Sequence, residues 1–77
     1  MDQPRARFLT LEQVAEELNT SAAQIYALVR RGELAAIRLG GRGQWRVERR
    51  RLEEFIEALY QQTERYVQDN PLTGSDD

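Results

Sequence analysis

The apolar residues of this chain change their spacing twice along 77 residues. From Leu11 to Val29 they recur three and four apart, as on one face of a helix. From Ile37 to Val47 the apolar positions alternate with polar ones around a Gly-rich centre, and from Leu52 to Val67 the helical spacing returns. A stretch with a period of two cannot present one apolar face as a helix. So short a chain also has material for only one small core. The order helix, helix, hairpin, helix in a single domain is what remains.

Local chemistry sharpens each element. Leu11, Val14, Ala15 and Leu18 form the stripe of a first helix, and Thr10 followed by Gln13 is a capping-box pair at its start. Asn19-Thr20 breaks the pattern, and Ser21 with Gln24 begins a second box. The stripe Ile25, Leu28 and Val29 then runs to Arg31, with Gly32 where a left-handed C-terminal cap belongs. Two short helices joined by a turn of about three residues form a helix-turn-helix.

In the next segment, Ile37 and Leu39 flank Arg38, and Trp45 and Val47 flank Arg46, on either side of Gly40-Gly41-Arg42-Gly43. This predicts a two-stranded wing with Ile37, Leu39, Trp45 and Val47 on one face and Arg38 and Arg46 on the other. A third helix beginning near Glu48 carries Leu52, Phe55, Ile56, Leu59 and Tyr60, then Thr63, Tyr66 and Val67, and Asn70-Pro71 stops it. The expected fold class is mainly α with a small β-hairpin, a winged helix-turn-helix. Residues 1–8 are expected as a flexible arm, 9–60 as the domain, 61–69 as a helical extension and 70–77 as an acidic disordered tail.

Composition removes most chemistry. There is no Cys and no His, and all 11 basic residues are Arg. The usual ligands for zinc or haem, the thiol, the imidazole and the Schiff-base amine are therefore missing together, and neither an enzyme nor a cofactor or metal is expected. Apolar runs such as Leu34-Ala35-Ala36-Ile37 are far shorter than a membrane span, and the start MDQPRARFL has no signal-peptide core, so the expected location is cytoplasmic, away from membranes. The formal charge of -2 argues at first against nucleic acid, but it is unevenly spread. Residues 1–29 sum to -2, residues 30–51 carry eight Arg against two Glu for +6, and residues 52–77 sum to -6. A ligand docking on the middle segment feels that segment rather than the total, because charge is screened over about 10 Å at moderate salt.

The pieces LTLEQVAEEL, IYALVRRGELAAIRLG and WRV, with the amphipathic helix after them, make residues 8–59 similar to the small DNA-binding domains of the excisionase family, relatives of the MerR-type winged helix. The resemblance implies a cytoplasmic protein that binds duplex DNA through its second helix and wing. Members of that family direct site-specific recombination beside an integrase, or regulate transcription.

Residue chemistry supports the same ligand. Off the buried stripe, the second helix offers Ser21, Ala23, Gln24, Tyr26, Ala27, Arg30 and Arg31. Gln24 can pair bidentately with adenine, or its side chain can simply close the capping box. Ala23 and Ala27 offer only methyl contacts where the family commonly has longer polar side chains, which shifts binding towards phosphates and DNA shape. Tyr26, near the edge of the buried stripe, suits either a phosphate contact or packing with its hydroxyl exposed, and Arg30 and Arg31 suit either phosphate or the helix C-terminus. In the wing, Arg38, Arg42, Gln44 and Arg46 complete the candidate set. Trp45 is expected to pack the wing onto the helices. Arg49, Arg50 and Arg51 stand where the helix dipole disfavours cations, and are accounted for either by an external anion or by pairs of Arg49 with Glu53 and Arg50 with Glu54.

The stripe from Leu59 to Val67 has little of its own domain to bury against. It fits self-association and cooperative assembly on DNA, or a frayed solvated helix. A second functional class stays open on the same feature: a protein-interaction module, antitoxin-like or adaptor, working through the acidic third helix.

Overall fold

The computed structural model describes residues 5–70. Of the expected flexible arm, residues 1–4 lie outside the described part, as do residues 71–77 of the expected acidic tail. The elements run β1 (Phe8–Leu9), α1 (Leu11–Leu18), α2 (Ala22–Arg30), β2 (Ile37–Leu39), a 3-10 turn (Gly40–Arg42), β3 (Gln44–Glu48) and α3 (Arg49–Asp69). This is a helix-turn-helix followed by a wing and a long helix, as the spacing predicts.

The helix ends are set by local hydrogen bonds. Thr10 Oγ1 accepts from Gln13 N at 3.0 Å while Gln13 Oε1 accepts from Thr10 N at 2.9 Å, closing the capping box of α1. Both helices of the motif end alike. Asn19 (φ 56°) and Gly32 (φ 77°) take the left-handed conformation. Thr20 N then donates to Ala15 O, and Glu33 N to Leu28 O, each capturing a carbonyl of the last turn. The left-handed Asn19 reverses the chain within the three residues between the helices, which sets α2 against α1.

The core consists of Leu9, Val14, Ala15, Ile25, Leu34, Val47 and Leu52, with Leu11, Leu18, Leu28, Val29, Ala36, Phe55 and Ile56 packed around it. Leu34 belongs to no element, so periodicity does not mark it. The cap at Gly32 folds it back, and Leu34 N donates to Leu28 O at 3.3 Å. At 1% exposure it is as buried as any helical residue.

The sheet departs from expectation in two ways. It has three strands in the order β1-β3-β2, because Phe8 and Leu9 pair with Glu48 and Val47. Phe8, assigned by its surroundings to the arm, is thus a strand residue. Backbone and side-chain bonds continue outward from it: Arg49 N donates to Arg7 O at 2.7 Å, and Arg49 Nε to Ala6 O at 3.1 Å.

The second departure concerns register. Ile37 faces Arg46, Arg38 faces Trp45, and Leu39 faces Gln44. Directly opposed residues in an antiparallel ladder point to the same side. Leu9, Val47, Trp45 and Arg38 therefore share the inner face, and Phe8, Glu48, Arg46, Ile37, Gln44 and Leu39 the outer one. The single-faced arrangement of Ile37, Leu39, Trp45 and Val47 is incorrect, and so is the grouping of Arg38 with Arg46. The cause is loop length: four residues, Gly40–Gly43, separate the last pair, so odd positions on β2 meet even positions on β3. A loop one residue shorter or longer would align the two apolar pairs, since a one-residue shift flips every side chain. Positive φ at Gly40 (66°) and Gly43 (72°) lets the chain close this four-residue turn.

Candidate nucleic-acid interface

The exposed side of α2 is built from its cap outward. Ser21 Oγ accepts from Gln24 N at 3.1 Å, so Ser21 is committed to holding the helix start. Here the second capping box stays half made. Among the described residues the Gln24 side chain has no hydrogen-bond partner, in contrast to Gln13 in α1. An amide with both donor and acceptor free on the first turn is suited to reading a base edge. Ala23 lies exposed beside it and Ala27 half-buried one turn on.

Tyr26 joins this helix to the wing. Its ring meets Trp45 edge to face, centroids 6.4 Å apart and planes at 68°. Trp45 is half-buried there, packing the wing onto α2 as its side-chain type predicts. Edge-to-face aromatic pairs contribute about 0.5–1.5 kcal/mol beyond the area they bury. Arg30 also lies over the Tyr26 ring, its guanidinium carbon 5.8 Å from the ring centre and Nη1 donating to the hydroxyl at 3.3 Å.

The arginines of the basic segment divide by partner. Arg31 Nε donates to Glu33 Oε2 at 3.0 Å, which returns its charge to the protein. Arg49 reaches across to α1, its Nη1 and Nη2 donating to the two carboxylate oxygens of Glu17 at 3.4 and 3.1 Å. Its side chain is only 16% exposed. The hydrogen bond from Arg49 holds the Glu17 carboxyl below the usual carboxylate range, against the opposing effect of partial desolvation. Arg51 pairs with Glu54 at 3.6 Å, and Glu53 with Arg5 at 3.5 Å. Arg49 thus pairs with Glu17 in place of the expected Glu53, and Glu54 pairs with Arg51 in place of the expected Arg50, which has no carboxylate partner among the described residues. Within one helix turn several carboxylates compete, and only the tertiary fold brings Glu17 to Arg49.

Arg30, Arg38, Arg42 and Arg46, by contrast, have no carboxylate partner among the described residues. Arg42 stands exposed at the wing tip. Arg38 shares the inner face with Trp45 and hence the side of the wing turned to α2; its Nη2 lies 3.5 Å from Gly41 O. Arg46 is on the outer face, half-buried, its Nη1 donating to Trp45 O at 2.8 Å. Gln44 is exposed on that outer face. The structure thus brings Tyr26, Arg30 and Arg38 to the α2–wing junction, with Arg42 at the wing tip and Gln24 exposed on the first turn of α2. It commits Ser21 and Arg31 to local bonds and sets Gln44 and Arg46 on the other side of the sheet. Arg49 is the residue that spacing alone misassigns: its partner is 32 positions away.

A helix-turn-helix whose second helix is braced by a wing carrying unpaired arginines defines a DNA-binding class of domain. The sequence agrees. Residues 8–60 match the family model described as a helix-turn-helix domain, well over half of the chain, and the protein belongs to that family, a non-catalytic DNA-binding kind of domain. No curated protein and no solved structure matches the chain. No helix among the described residues is long and apolar enough to cross a membrane.

Proposed function

We propose that this protein binds duplex DNA with α2 in the major groove and the wing on the backbone or minor groove, as an excisionase-type recombination directionality factor or a small transcriptional regulator. The observation that carries this reading is the contrast in arginine partners. Arg30, Arg38 and Arg42 have no carboxylate partner among the described residues, while Arg31, Arg49 and Arg51 of the same basic segment are each paired with one. Phosphates fix the docking, and Gln24 reads a base where α2 enters the groove.

Gly41 supports close backbone approach. Unlike Gly40 and Gly43 it has no positive φ, and a Cβ built there meets nothing within 4 Å, so the fold itself does not require glycine at this position. A phosphate or minor-groove wall is what would exclude a side chain there.

The test is a binding titration on duplex DNA across salt concentrations. Each neutralised phosphate contributes about -0.9 to the slope of log affinity against log salt, so Arg30, Arg38 and Arg42 together give a slope of about -2.7. Binding that ignores salt overturns the reading. Adding the protein to an integrase excision reaction and, separately, to transcription from a promoter it footprints distinguishes the two roles. If Arg38 and Arg42 can be replaced without effect on DNA retention while removal of residues 61–77 abolishes function, the interaction-module reading takes its place.

A further inference from the structure

Tyr26 is held by two neighbours at once, and each leads to an arginine without a carboxylate partner among the described residues. On α2 it stands four residues before Arg30, so the two side chains share one helix face. Arg30 is restrained there twice, its guanidinium 5.8 Å from the centre of the Tyr26 ring and its Nη1 donating to the hydroxyl. Across the junction the ring meets Trp45, which opposes Arg38 in the β2–β3 ladder and so projects from the same side of the sheet. The wing has few other holds. β1 pairs only with Val47 and Glu48, so Gln44, Trp45 and Arg46 run on beyond it. An open concavity of about 240 Å³ lies between this part of the wing and the start of α1, with Thr10, Glu12, Gly43, Gln44 and Trp45 in its lining.

We infer that Tyr26 is a positioning residue of the DNA interface: its hydroxyl aims Arg30, and its ring, through Trp45, aims the wing and Arg38, so that the two cations meet phosphates at a set separation. This is neither of the roles that the sequence leaves open for Tyr26. The hydroxyl is bonded to Arg30, and the residue as a whole is 41% exposed and stands outside the core. The gain lies in ordering. An exposed arginine gives up rotamer freedom when it engages a phosphate, and one already stacked and bonded has given it up beforehand. The same holds for the wing, since a two-stranded hairpin is marginal by itself and this one is docked on α2 before any ligand arrives. A fixed separation of the cations also favours duplexes whose phosphates already stand at that distance, which is a readout of DNA shape.

The role of Tyr26 rests on duplex DNA as the ligand, and two variants take it apart. Tyr26→Phe keeps the ring and removes the hydroxyl, whereas Tyr26→Leu removes both. In titrations of labelled random-sequence duplex DNA at low salt, Tyr26→Phe should weaken binding about three- to tenfold, the range for one lost hydrogen bond. In an Arg30→Ala background it should cost nothing further, while the effect of Arg38→Ala should be the same with or without it. Tyr26→Leu should weaken binding more and shrink the effects of Arg30→Ala and Arg38→Ala alike. Without DNA, the emission of Trp45, the one tryptophan of the chain, should shift in Tyr26→Leu and not in Tyr26→Phe, with the far-ultraviolet circular dichroism of both unchanged. If Tyr26→Phe costs a DNA-binding parent as much in the Arg30→Ala background as outside it, the hydroxyl acts on DNA directly and the positioning role is overturned. Trp45 emission indifferent to Tyr26→Leu, or full additivity of Tyr26→Leu with Arg38→Ala, overturns it equally. A parent chain that does not bind duplex DNA overturns the DNA reading and the role of Tyr26 with it.

Discussion

Arg38 and Arg49 are the same residue type in the same basic segment, and the fold uses them oppositely. Arg49 is drawn inward, bonded to both oxygens of Glu17 and to Ala6 O, and ties the start of α3 to α1 and to the chain before β1. Arg38 is turned to the α2 side of the wing and has no carboxylate partner among the described residues. Counting both as +1 in a basic patch conceals this difference. A positive charge is available to a phosphate only where the protein has not already neutralised it.

The comparison is open to direct attack. Replacing Arg38 and Arg42 together by Ala should lower DNA affinity the most, on the order of 10- to 100-fold at moderate salt, and flatten the salt slope by about 1.8. Urea denaturation should be unchanged. Gln24→Ala should reduce discrimination between specific and altered sites by about 1–3 kcal/mol in competition binding while leaving the salt slope intact. If it lowers affinity for all sequences equally, Gln24 is not a base reader.

Arg49→Ala should behave in the reverse manner to the wing variants. A loss of about 1–2 kcal/mol in the urea midpoint is expected, since charge-assisted bonds to a partly buried guanidinium exceed an ordinary surface pair, with the salt slope of the folded protein retained. Equal losses of affinity from Arg49→Ala and Arg38→Ala, without loss of stability, would erase the division between them. A smaller contrast lies within the wing: Arg46→Ala should weaken binding less than Arg38→Ala, because Arg46 is half-buried on the outer face.

The smallest effect is in pH. The lowered pKa of Glu17 means that its contribution to stability is fully present above the unfolded value and is lost as pH falls through the folded one. Glu17→Gln should therefore be less stable than the parent at neutral pH, by no more than about 1 kcal/mol for so exposed a carboxylate. The gap should close in acid, as measured by thermal melts across pH. A gap that widens in acid would have the wrong sign.

The elements legible in the sequence are those fixed by partners three or four residues away. Thr10 and Gln13, Ser21 and Gln24, Gly32, and the stripes of all three helices can be read because the atoms that bond or pack together are close along the chain. The exposed positions of α2 are legible for the same reason, and of the two alternatives for the Gln24 side chain the structure leaves it outside a capping box. The wing was legible as a hairpin but not in its faces, because alternation within each strand says nothing about which residue of the other strand lies opposite. That depends on a four-residue loop whose 3-10 turn brings Leu39 to Gln44.

By itself, then, the sequence determined a helix-turn-helix with a Gly-tipped wing, a long third helix, and a charge distribution that places the basic residues on the recognition helix, the wing and the start of α3. Only the tertiary structure decided that Arg49 is withdrawn from that set, through its bonds to Glu17, 32 positions away. It likewise recruited Phe8 as a third strand and buried Leu34 between elements. Local propensity acts over one helical turn, whereas an ion pair or strand register is chosen by the packing of whole elements. Competing partners of equal chemistry are separated only when the chain has folded.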